Sequence, residues 1–148
     1  MLPVTSSTIR VFLHVVAAAI WVGGQIALGT IVPALRPAGS DTVRAVARRF
    51  QLVAWPAYAV LLATGVWNLF ALHAADRGAR WLTTLLVKLA CVAISGLAAA
   101  VHVLVAAPRV RAAPTDDARR QAAALSGSLE GASLLFALAA AFLGVLLG

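Results

Sequence analysis

Three histidines, one lysine, one glutamate and one cysteine interrupt the apolar runs of this 148-residue chain, and chemistry is to be sought there first. At 3.6 residues per helical turn, His14, Ala18, Trp21 and Gln25 share one face. Lys88, Cys91, Ser95, Ala99 and His102 share a second, and Ser126, Glu130 and Ser133 a third. Gln51, Trp55 and Tyr58 form a polar-aromatic stripe, with Thr64 and Asn68 further along. Imidazole suits copper, zinc and haem iron, and the spacing selects none of them. His14, His73 and His102 are the candidate metal ligands. His14 and His73 are expected at matching depth, where they could face each other across one mouth, with His102 nearer the opposite side. Lys88, Glu130, Gln25 and Ser95 are the candidate lining of a polar path. At 1.5 Å per residue, Lys88 and Glu130 are expected only about 5 Å apart in depth. Either charge left unpaired in lipid costs about 2.5–3.5 kcal/mol or more, so they are read as an ion pair that fixes register or as a polar gate. Cys91 reads as a small buried hydrophobe, with a metal role as the alternative. No Ser-His-Asp set, phosphate-cradling glycine loop or pair of carboxylates is present, which argues against a hydrolase or a nucleotide enzyme.

The elements that position these groups follow from composition. The chain is 62% hydrophobic and 11% charged, with mean hydropathy +0.95, against roughly 25% charged residues in a soluble domain. That balance excludes a soluble enzyme, a nucleic-acid-binding domain and a disordered tail. Four stretches, about 11–35, 50–75, 81–108 and 121–147, are long enough for helices to cross a bilayer, which takes about 20 apolar residues. Backbone groups bare in lipid must bond within their own helix. The first stretch reads as a retained span, being longer than the apolar part of a cleavable signal. Pro33, Pro37 and Gly39, then Asp76-Arg77-Gly78, then Pro108 and Pro114 punctuate the connections. Connections this short predict an all-α integral membrane protein, an up-down four-helix bundle forming one domain over residues 1–148.

The net charge of +7 is read as orientation in the membrane, with no nucleic-acid partner. Eight arginines lie in the first and third connections: Arg36, Arg44, Arg48, Arg49, Arg109, Arg111, Arg119 and Arg120. Arg10, Arg77 and Arg80 lie on the other side. The positive-inside rule then puts both termini outside. Gly127 and Gly131 form a GxxxG pair that reads as a packing face, within the bundle or between copies of the chain.

Four segments carry a family resemblance: LHVVAAAIWVGG, ARRFQLVAWPAYAVLLATGVWN, LLVKLACVAISGLAAAVH and LSGSLEGASLLFALAAAFLGVLL. Their order and spacing resemble the membrane domain of the copper-resistance D (CopD) family from about Val11 to Leu147. The resemblance implies a multi-pass protein of the bacterial inner membrane that binds or transports copper, rather than an enzyme. His14, Lys88 and Glu130 are the matching polar positions. On this reading His14 and His73 capture the ion, Lys88 and Glu130 gate it, and His102 receives it. A second resemblance is to HemJ-type protoporphyrinogen oxidases, through the histidine of the first helix and the Leu-x-x-Lys-Leu and His102 of the third. It implies haem b and a membrane oxidoreductase. A third reading is an accessory subunit bound to a larger membrane complex.

Overall fold

The structure is a computed structural model that describes residues 4–71, 73 and 76–147. No strand occurs among them. Helix α1 spans Ser6–Leu35 and α2 spans Ser40–Ala71. Helix α3 spans Ala79–Val101 and continues through a π-helical turn, His102–Ala106, into the short α4, Ala107–Ala112. Helix α5 spans Asp116–Leu146. Four segments are long and apolar enough to cross a membrane: Ser6–Ala38, Ser40–Ala71, Ala79–Ala112 and Asp116–Leu146.

Local sequence explains the ends. The Thr5 hydroxyl accepts from the Thr8 amide at 3.2 Å, and the Thr115 hydroxyl accepts from the Ala118 amide at the same distance. Each satisfies one of the N–H groups that a helix start leaves without a partner. Asp116 and Asp117 occupy the first turn of α5, where the helix dipole favours negative charge. Gly39 closes the first connection at φ 97°, a conformation open to glycine and costly for side chains.

The prolines expected to end helices behave differently. Pro33 sits inside α1, which continues to Leu35 before the 3-10 turn Arg36–Ala38. Pro108 lies in the first turn of α4, directly after the π turn, where the Ala107 amide bonds to the His102 carbonyl. Proline has no N–H and its ring crowds the carbonyl four residues back. The wider π turn makes room for that ring, so the helix runs past Pro108 to Ala112 instead of stopping.

The chain divides into two compact units, Met1–Gly78 and Ala79–Gly148. In the first, α1 packs antiparallel on α2, pairing His14 with Thr64 and Trp21 with Trp55 and Tyr58. Gly24 lies so close to Phe50 that a Cβ added there would enter the ring, a close approach typical of small residues in membrane helices. In the second unit, α3 packs antiparallel on α5, pairing Trp81 with Leu147, Ser95 with Ser133 and His102 with Ser126. Each interface is narrow and built from small residues, including Ala17, Ala54 and Ala57 in one and Ala98, Ala137 and Ala140 in the other. Large side chains such as Phe70, Leu104 and Phe142 point away from the chain, as expected where the solvent is lipid.

Candidate functional site

The polar groups that the sequence placed on single helical faces lie along these interfaces. On α1 the buried residues are Arg10, Ala17, Trp21 and Gln25, with half-buried His14 on the same stripe. His14 Nδ1 lies 2.8 Å from the Thr64 hydroxyl. That hydroxyl donates its one proton to the Val60 carbonyl, 2.7 Å away, so it accepts from Nδ1–H of His14. The imidazole ring lies over Gly65. Two turns further in, the Trp21 ring lies 4.4 Å from Tyr58 and 5.7 Å from Trp55, centre to centre. The Gln25 side-chain amide donates to the Trp21 carbonyl at 3.1 Å, while its oxygen is buried without a partner.

In the second unit the stripe runs the length of α3 and α5. Trp81 donates to the Leu147 carbonyl at 3.2 Å. Ser95 and Ser133, each 1% exposed, meet at 3.3 Å. His102 Nδ1 lies 3.0 Å from the Ser126 carbonyl and 3.1 Å from its hydroxyl. A carbonyl only accepts, so Nδ1 carries a proton and donates it. Half-buried Glu130 follows Ser126 by one turn on the same face of α5.

Two expectations are corrected. His14 and His73 do not face each other. His14 is level with Thr64, seven residues before α2 ends at Ala71, about 10 Å along the helix, and His73 lies beyond that end. His73 is exposed at φ 49° and caps α2: its amide bonds to the Phe70 carbonyl, and its own carbonyl accepts from Asp76. Histidine is among the residues that tolerate this left-handed conformation.

Lys88 and Glu130 do not pair either. The Lys88 amine reaches Gly144, ending 2.8 Å from where a Cβ would stand, and Gly144 is 14 residues from Glu130 on α5, about 21 Å along the axis. Depth counted inward from span ends fails because Ala79–Ala112 is 34 residues long, about 50 Å against a core about 30 Å thick. The lysine stem instead carries the amine to the last turn of α5, where unpaired carbonyls and the helix dipole favour a cation. Gly127 and Gly131 of the GxxxG pair meet nothing within 4 Å of where a Cβ would stand, which leaves packing between copies of the chain open.

Among the described residues, no three His, Cys, Asp or Glu side chains converge on one point. Cys91, the single cysteine of the sequence, is buried. Two features escaped the sequence reading. Arg10 is 8% exposed and its Nε has no partner; its spacing of four from His14 carried that signal. The π turn at His102 was signalled by Pro108, six residues on.

These observations define a multi-pass helical membrane protein with polar side chains turned toward its helix interfaces. A family model described as copper resistance protein D matches residues 44–146, more than two thirds of the chain, and the chain belongs to that family. No curated protein and no solved structure matches it. The match takes in α2 from its second turn through α5, with His73, Lys88, Ser95, His102 and Glu130; α1, with His14 and Gln25, lies outside it.

Proposed function

We propose that the chain binds copper ions and passes them along its buried polar stripes, in a bacterial inner membrane with both termini outside. The observation that carries this reading is the state of His102. Its Nδ1–H is held by the Ser126 carbonyl, which leaves Nε2 as the donor nitrogen. A metal-binding histidine commonly has its other ring nitrogen fixed in this way, and π turns recur at functional sites. Glu130, one turn along α5, adds an oxygen of opposite charge to the ion. Ser95 and Ser133 continue the path. Gln25 and His14 form the corresponding stripe on α1, and exposed His73 offers a first contact beyond the end of α2. Lys88 stands at the outer end of the α3 stripe, where its charge repels a cation that is not already held.

The test is metal analysis and an absorption spectrum on detergent-purified protein, for the wild type and for His102→Ala, His102→Gln and His14→Ala. We expect near-stoichiometric copper on the wild type and at least a ten-fold weaker affinity for both His102 variants. Unchanged copper binding in those variants would sink the assignment. A haem absorbance band with iron in place of copper would move the function to a haem oxidoreductase.

A further inference from the structure

We propose that the α1–α2 pair carries a specific site for an anionic phospholipid of the surrounding bilayer, separate from the ion path. An open groove of about 460 Å³ runs between Ala27, Leu28 and Ile31 of α1 and Val46, Arg49 and Phe50 of α2. Its walls are hydrocarbon, and the Arg49 guanidinium is the one charged group beside them. Gly24 lets the Phe50 ring close its floor, because the ring occupies the space a side chain there would need.

The charge pattern says what fits. Arg44, Arg119 and Arg120 are each held by an aspartate three residues earlier, at 3.0–3.2 Å. Arg48 and Arg49 have no acidic partner among the described residues, and both are exposed. They stand ten residues into α2, where the charged first turns give way to the uncharged run that starts at Phe50. That places them at headgroup level, with the groove continuing into the hydrocarbon. An acyl chain matches the walls and a phosphate matches Arg49 beside them, while Arg48 adds positive charge at the same level of the helix. Basic pockets between helices at the cytoplasmic interface bind lipid headgroups in this way, and a zwitterionic headgroup brings no net charge to them.

The test uses native mass spectrometry of the intact protein in neutral detergent. Phosphatidylglycerol and phosphatidylcholine of identical chains are added, with inorganic phosphate as a competitor. The wild type is expected to retain phosphatidylglycerol at least five-fold over phosphatidylcholine. Arg49→Gln is expected to lower that retention about five-fold, and Arg49→Lys to preserve most of it. Ala27→Phe, which fills the groove from a position exposed on α1, is expected to lower it as well. Arg111→Gln, outside this helix pair, should leave it unchanged. Equal retention of the two lipids by the wild type would overturn the site, as would wild-type retention by Ala27→Phe. Displacement of the lipid by inorganic phosphate alone would reassign the arginines to a free anion and overturn the lipid proposal.

Discussion

His14 and His102 share a device at the residue scale: in each, Nδ1 is held as the protonated nitrogen by an acceptor on the facing helix. For His14 the acceptor is Thr64, 4% exposed, whose own proton goes to Val60. Thr64→Val keeps the shape and removes the acceptor that faces Nδ1 of His14. The expected loss is about 1–3 kcal/mol, read as a lower melting temperature in detergent, with Thr64→Ser restoring most of it. Lys88 makes the opposite prediction. Its amine rests against Gly144 and has no carboxylate partner among the described residues, so Lys88→Met should change stability by less than about 1.5 kcal/mol. Were Glu130 its partner, the same substitution would strand a buried charge and cost about 3–5 kcal/mol. Thermal melts of Lys88→Met and Glu130→Gln separate the two cases.

Register between helices is the property that decides which residues meet at the element scale. Ser95 faces Ser133 and His102 faces Ser126, which puts Glu130 level with Ala98. In a Cys91→Ala background, paired cysteines at 95 and 133 should therefore form a disulfide, and cysteines at 88 and 130 should not. Cleavage in the connection between α4 and α5, followed by a non-reducing gel, reads the result. The π turn makes a further prediction. It exists to make room for Pro108, so Pro108→Ala together with deletion of Val103 should restore a plain α-helix. The deletion removes the extra residue that the wide turn accommodates, and with it the local geometry around His102. The expected outcome is full helicity by circular dichroism with at least a ten-fold loss of the proposed copper affinity.

Orientation belongs to the whole molecule, and it rests on charge rather than on packing. Eight arginines in two connections against three on the other side predict that reporter fusions after Ala38 and after Ala113 stay cytoplasmic, while a fusion at the C-terminus is exported. Moving four arginines into the 76–80 connection should invert that pattern.

The four apolar spans, the all-helical fold and the candidate polar faces could be read from sequence, because lipid forces every backbone group into local bonds and leaves few places for a charged side chain. The family was legible for the same reason: sparse polar residues at set spacing stand out against alanine and leucine. Tertiary structure decided the rest. Helices longer than the bilayer can slide past each other without exposing new backbone, so depth counted from span ends could not place Lys88 against Gly144 or part it from Glu130. Only the fit of small residues, Ser95 on Ser133 and Phe50 over Gly24, sets that slide. The same register sets His102 against Ser126, which no spacing along one chain encodes, whereas His73 became a turn residue through local backbone bonds.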